Sequence, residues 1–287
     1  MDQKYIDLFD RYTHGQMKRR AFLEKLAVLA GSSAAAAALL PVLENNYASA
    51  EMIAETDTRI LPETVTYEST VGKVSGYLVK QKQFPKAGGV VVISENRGLN
   101  PHIKDVARRL ATEGFLALAP DYLSIKGGTP EDADKAREMI GTLTPDETVA
   151  MSRASLAALA ARADCTGKVA AVGFCWGGGK VGELAVAEPS LAAGIVYYGS
   201  QPKADQVANI KAPLMLHYAG LDERINAGIP DFEKALKDNG KFYELFMYDG
   251  ANHAFNNDTN EARYNKDAAE LAWSRTVEFL RKNLAVA

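Results

Sequence analysis

Beyond about residue 60 the apolar positions change period repeatedly, and each change predicts an element. Residues 64–69 (TVTYES) and 74–79 (VSGYLV) alternate polar and apolar, which predicts an antiparallel hairpin turning at Gly72. Residues 89–95 (GVVVISE) form a continuous apolar run, the pattern of a strand covered on both faces. Residues 101–113 place Ile103, Val106, Ala107 and Leu110 on one face of a helix. A strand over 115–119 stops at Pro120-Asp121-Tyr122, and helices follow over 130–141 and 146–163. Strands are predicted over 169–174, 192–198, 214–218 and 243–248, with helices over 230–238 and 261–283. Strands alternating with helices indicate βαβ units with right-handed crossovers. The prediction is therefore an α/β fold: a mostly parallel central sheet with helices on both faces, opened by two antiparallel strands, as in the α/β-hydrolase fold.

Residues 1–50 carry a different pattern, so the chain divides into 1–50 and a single domain over 51–287. Lys18-Arg19-Arg20-Ala21-Phe22-Leu23 resembles the twin-arginine export signature. A moderately apolar, Ala-rich stretch follows over 26–43, then Ala48-Ser49-Ala50, an A-x-A-like cleavage site. The expectation is a signal peptide, with the twin-arginine translocon as partner and the periplasm as destination. The other reading is an N-terminal helix that stays and packs on the body of a cytoplasmic protein, which an Ala-rich composition permits.

Composition narrows the function. The 287 residues carry a formal net charge of −3 with both signs interspersed, so nothing suggests a nucleic-acid partner. Cys165 and Cys175 are the two cysteines; that count makes neither a disulfide framework nor a zinc site. Strand residues separate them too far for a bond between them.

The chemistry gathers at predicted strand ends, where α/β sheets carry their sites. Gly173-Phe174-Cys175-Trp176-Gly177 reads as the strand–turn–helix nucleophile elbow G-x-S-x-G with Cys for Ser. The glycines leave room for neighbouring backbone, and the helix N-terminus lowers a thiol's pKa. Asp222 follows the next strand but one, and His253 follows the last. Nucleophile, acid, histidine is the chain order of the elbow folds. Cys175 would attack, His253 would carry the proton, and Asp222 would orient the imidazole. Backbone N–H groups of Trp176 and Asn96 would form the oxyanion hole. Glu95 lies beside that loop, placed to accept a hydrogen bond from the resting thiol. Arg97, Tyr122, Tyr197 and Tyr198 stand at strand ends as candidate pocket residues. Each group has a plainer role available: Asp222 as a helix cap, Glu95 as a partner of Arg97, the tyrosines as packing. The other histidines, His14, His102 and His217, read as signal segment, helix start and core strand.

From about Val65 to the C-terminus the chain resembles the dienelactone hydrolase (carboxymethylenebutenolidase) family. The likeness rests on residues 93–100 (ISENRGLN), 119–122 (APDY), 173–178 (GFCWGG), 197–199 (YYG), 220–222 (GLD) and 253–255 (HAF). It implies a Cys175–His253–Asp222 triad, with Glu95 gating the thiol. It also implies hydrolysis of an enol lactone or similar small ester with no cofactor and no metal. Two departures bear on substrate. Family members that cleave dienelactone have an arginine a few residues after the catalytic histidine, and here none occurs before Arg263. Arg97 stands where the family usually has an apolar residue. A general carboxylesterase or thioesterase, or a catalytically silent binding protein of the same fold, are the alternatives.

Overall fold

A computed structural model describes residues 1–47, 51–83 and 86–284; Ala48-Ser49-Ala50 lies outside them. Eight strands form one sheet: β1 (Ile60–Ser69), β2 (Gly72–Gln81), β3 (Ala87–Ile93), β4 (Leu116–Pro120), β5 (Cys165–Phe174), β6 (Gly194–Tyr197), β7 (Leu214–Ala219) and β8 (Tyr243–Tyr248). Their spatial order is β1-β2-β4-β3-β5-β6-β7-β8. The β1–β2 and β2–β4 pairs are antiparallel and the others parallel. The helices are α1 (Gln3–Thr13), α2 (Arg19–Ala30), α3 (Ser33–Leu43), α4 (Pro101–Thr112), α5 (Ala133–Ile140), α6 (Pro145–Ala160), α7 (Trp176–Ala187), α8 (Glu223–Asn226), α9 (Ile229–Asp238) and α10 (Lys266–Leu284).

The sheet is covered on both faces, and strand period two sorts its residues between them. In β3, Val90 and Val92 belong to the core on the side of α4 and α10, whereas Val91 and Ile93 belong to the core on the side of α6 and α7. This is why β3 reads as a continuous apolar run rather than an alternating one. Pattern and structure agree on every strand of the sheet, and differ mainly in where elements end. The antiparallel pair is longer than its alternation, running from Ile60 to Gln81 because β1 pairs with β2 along its whole length.

The first 47 residues form a helical cap on this body. The apolar stretch over 26–43 is not one helix: α2 ends at Gly31 in the left-handed region (φ 83°), and α3 leaves at 113°. Among the described residues no single helix is long and apolar enough to cross a membrane. The cap has its own core of Leu8, Phe9, Tyr12, Phe22, Leu26, Ala36 and Leu43. It is tied to the body by polar bonds. Tyr12 Oη donates to Asp134 (2.5 Å), the Arg137 guanidinium donates to Tyr12 O (2.9 Å), and Asn260 Nδ2 donates to Leu43 O (2.6 Å). Of the two arginines in the export-like motif, Arg19 bridges Asp134 (2.7 Å) and Glu44 (3.4 Å), while Arg20 points to solvent and meets Glu24.

Candidate active site

Cys175 sits between β5 and α7 at φ 54° and ψ −113°, a conformation that side-chain-bearing residues rarely adopt. Packing enforces it. A Cβ on Gly173 would run into the Gly177 carbonyl, one on Gly177 into the carbonyls of Ile93 and Ser94, and one on Gly178 would come 2.8 Å from Tyr197 O. Strand and helix therefore approach closely only with glycine, and the turn thrusts the sulfur toward a cavity of about 530 Å³. His14, Asn96, Trp176, Tyr198 and His253 line that cavity with Cys175. A larger groove between α6 and α7 contains none of these groups.

The imidazole of His253 enters from the loop after β8. Its Nδ1 contacts Asp222 Oδ2 at 2.5 Å, and both residues are buried. Asp222 also caps α8, its Oδ1 accepting from Ile225 N at 3.2 Å. One carboxylate thus both contacts the imidazole and caps the helix. His253 Nε2 is buried without a hydrogen-bond partner and lies within 4.8 Å of Cys175 Sγ.

The cap supplies a residue that the sequence reading placed in a signal segment. His14, at the end of α1, puts Nε2 3.4 Å from Cys175 Sγ, and its ring stands edge-on to His253 with centroids 4.6 Å apart. His14 Nδ1 faces the Asp10 carbonyl (2.8 Å) and carboxylate (3.2 Å). No local motif marks His14 or Asp10. Their proximity to Cys175 arises only when α1 docks, through bonds such as Asn96 Nδ2 to Thr13 O (2.9 Å).

The electrostatics follow from this crowding. Burial pushes the Cys175 thiol up, but the facing His253 and His14 outweigh it and bring it to about 6. Burial pushes His253 down, yet the Cys175 thiolate, Asp222 and Asp10 raise it to about 10. Burial likewise opposes protonation of His14, and Cys175 and Asp10 raise it nonetheless. Buried Asp10 stays below the usual carboxylate range because His253, His14 and Arg263 face it.

The remaining expected site residues divide. Trp176 and Asn96 border the cavity together with Cys175. Trp176 begins α7, where a backbone N–H has no partner within the helix. Tyr198, at φ 41°, lines the cavity with its ring 5.0 Å from His253. Tyr122 and Tyr197 do not line it. Their hydroxyls bond Ser152 and Thr276 at 2.7 Å each inside the fold, so both are packing residues. Glu95 accepts from Asn257 Nδ2 (2.8 Å), and its other oxygen is buried without a partner. Among the described residues no hydrogen bond joins Glu95 to the thiol and no ion pair joins it to Arg97. Arg97 is buried and lines a small cavity together with Cys175, His14, His253, Asn45 and Arg263. Arg137 and Arg224 are the arginines that line the main cavity. Arg263 is held over the Phe9 ring and near Asp10.

An eight-stranded, mostly parallel sheet with a strained elbow and helices on both faces defines an α/β-hydrolase fold. Comparison with known proteins carries this further. The dienelactone hydrolase family matches residues 74–284, and a "YqhI-like" family matches residues 1–31. A protein of Saccharolobus solfataricus, provisionally named a carboxymethylenebutenolidase, is 33% identical over 258 residues, covering 77% of this chain and 99% of that one. A provisionally named hydrolase fragment of Escherichia coli K12 is 50% identical over 113 residues, covering 38% of this chain and 97% of the fragment. The crystal structure of a provisionally named dienelactone hydrolase from Klebsiella pneumoniae superposes with TM-score 0.71 at 26% identity, covering 78% of this chain and 99% of that one. The chain belongs to the dienelactone hydrolase family and has a hydrolase fold.

Proposed function

We propose that this protein hydrolyses a small carboxylic ester or lactone through Cys175, with His253 as acid–base and Asp222 as the orienting carboxylate. The observation that carries this reading is the strained elbow that holds Cys175 toward a cavity shared with an Asp-anchored histidine. The Cys175 thiolate attacks the acyl carbon, and the carbonyl oxygen takes up negative charge between the backbone N–H groups of Trp176 and Asn96. The His253 imidazolium gives its proton to the leaving alkoxide. Neutral His253 then takes a proton from water, which attacks the Cys175 thioester and releases the acid and the thiolate. Asp222 holds the ring in one tautomer and stabilises the imidazolium in both half-reactions.

The test is rapid-quench mass spectrometry of the full-length protein with p-nitrophenyl acetate. An acetyl group on the peptide containing Cys175, appearing within one turnover, supports the reading. Acylation elsewhere, or full activity in Cys175→Ala, ends it.

We infer that residues 1–47 stay with the mature enzyme, since the cap lines the cavity and Arg19 is engaged in ion pairs. Export with cleavage after Ala50 is the competing reading. Cell fractionation with N-terminal sequencing separates them: a periplasmic protein beginning at Glu51 would favour export.

A further inference from the structure

Hydrolysis through Cys175, His253 and Asp222 has no need of His14, yet α1 is docked so that His14 meets the sulfur. His14 and His253 are arranged alike. Each has Nδ1 against an acceptor of an aspartate, Asp10 in one case and Asp222 in the other. A ring that donates Nδ1–H turns the lone pair of Nε2 outward. Both Nε2 lone pairs and the Cys175 sulfur then converge on one place, and all three atoms lie within 4.8 Å of one another. In the metal-free protein, protons carried by the imidazoles meet these contacts, as in the 3.4 Å approach of His14 Nε2 to the sulfur. A divalent cation that displaces those protons engages all three atoms at once.

We propose that His14, Cys175 and His253 form a binding site for a borderline-soft divalent cation, zinc by its donor set, and that its binding captures the thiolate and arrests hydrolysis. Two imidazoles and a thiolate are zinc's preferred ligands, at about 2.0 Å for nitrogen and about 2.3 Å for sulfur in a tetrahedron. Such a tetrahedron has an N–S edge of about 3.5 Å by those bond lengths. The His14 Nε2 to Cys175 Sγ separation is 3.4 Å. A second, independent observation supports it: His253 Nε2 is fully buried, aimed into the cluster and without a hydrogen-bond partner. Asp222 completes a carboxylate–histidine–metal unit at His253, and the Asp10 carbonyl takes the corresponding place at His14; such partners fix the tautomer and strengthen each nitrogen as a ligand. The fourth position opens on the cavity beside Trp176 and Tyr198, where water can complete the shell. Binding releases protons from the thiol and imidazolium as the metal takes their place. Arrest of hydrolysis rests on Cys175 being the nucleophile; coordination does not.

The test uses full-length protein freed of metal with a chelator and then titrated with cobalt(II). A sulfur-to-cobalt charge-transfer band reaching saturation at one equivalent is expected. The band should vanish in Cys175→Ser, and His14→Gln should weaken cobalt binding by tenfold or more. Asp10→Asn, which leaves all three ligands in place, should weaken it less, and circular dichroism checks that each variant is folded. One equivalent of zinc should abolish ester hydrolysis by wild type, a chelator should restore it, and His14→Gln should resist. Absence of the band, or equal cobalt affinity in His14→Gln, overturns the site even if the metal-free enzyme hydrolyses esters. A normal band in a protein that hydrolyses no ester sustains the site and instead overturns the hydrolytic reading and the arrest.

Discussion

The thiol at the elbow and the imidazoles around it set the expected pH behaviour. Cys175 is brought down to about 6 and His253 raised to about 10, so the thiolate–imidazolium pair exists between those values. Below the lower one the thiol is protonated and cannot attack; above the upper one the imidazolium has no proton for the leaving group. In chelator-treated enzyme kcat/KM for a neutral ester should therefore rise through about pH 6 and fall toward about pH 10. His14→Gln removes one positive neighbour of the thiolate, so the acid limb should move to higher pH. A pH–rate profile of both proteins checks this, and an unmoved limb would mean that His14 does not act on the thiol. Asp222→Asn offers a cleaner separation of roles. Asparagine caps a helix about as well as aspartate, so stability should change little. Loss of the carboxylate that orients His253 should cost kcat about 10⁴-fold, as in comparable triads. Thermal melting and kcat together check it: a large fall in Tm with modest loss of kcat would make Asp222 mainly a cap. Finally, Arg97 lines a small cavity with Cys175 and His253 but is not among the residues that line the main cavity. With the ester in the main cavity, Arg97→Ala should leave the ratio of kcat/KM for matched neutral and anionic esters unchanged. A selective loss of the anionic ester would place Arg97 on the substrate.

At the scale of elements, the strand–elbow–helix unit of β5 and α7 decides where the Cys175 sulfur goes, and its glycines are the parts that cannot be exchanged. A methyl group on Gly177 would meet backbone carbonyls of β3 and the loop after it, and backbone cannot swing aside as a side chain can. Gly177→Ala should cost about 3 kcal/mol, the upper end of overpacking effects. That corresponds to a fall in Tm of about 6–12 °C. Gly240, by contrast, has φ 59° but open space around it, so Gly240→Ala should lower stability by only about 1 kcal/mol through backbone strain. Differential scanning calorimetry of the two variants checks the contrast, and equal effects would mean that close packing at the elbow is not what matters. The sequence reading placed the elements more surely than their ends, which the structure marks with local signals. Thr144 caps α6 with a reciprocal Glu147 bond, Asn100 caps α4 ahead of Pro101, and Gly31 stops α2. The bend at Gly31 is also what turns an apolar stretch of membrane-like composition into two short packed helices.

Over the whole molecule, the cap and the hydrolase body meet at the Cys175 sulfur. The cap partly shields it: Cys175 is 9% exposed, beneath His14 and beside the Asn96–Thr13 bond. Iodoacetamide should still label Cys175, through the cavity, and spare Cys165, which is 3% exposed at the start of β5. Peptide mapping checks this, and faster labelling of Cys165 would contradict both the exposure and the lowered pKa of Cys175. What the sequence by itself determined about this protein is what short-range physics controls. The periodicities set the order of strands and helices, since a side chain's face depends on its own few neighbours. The pattern GFCWGG also specified the elbow, because only glycine tolerates the backbone contacts that such a turn imposes. The tertiary structure alone decided which distant groups meet. Tyr122 and Tyr197 stand at strand ends as pocket residues would, yet their hydroxyls turn to Ser152 and Thr276 within the core. Glu95 turned from the thiol to Asn257. His14 reached Cys175 across 161 positions of chain, because docking a helix depends on the summed fit of its face, and no local pattern of residues encodes that sum.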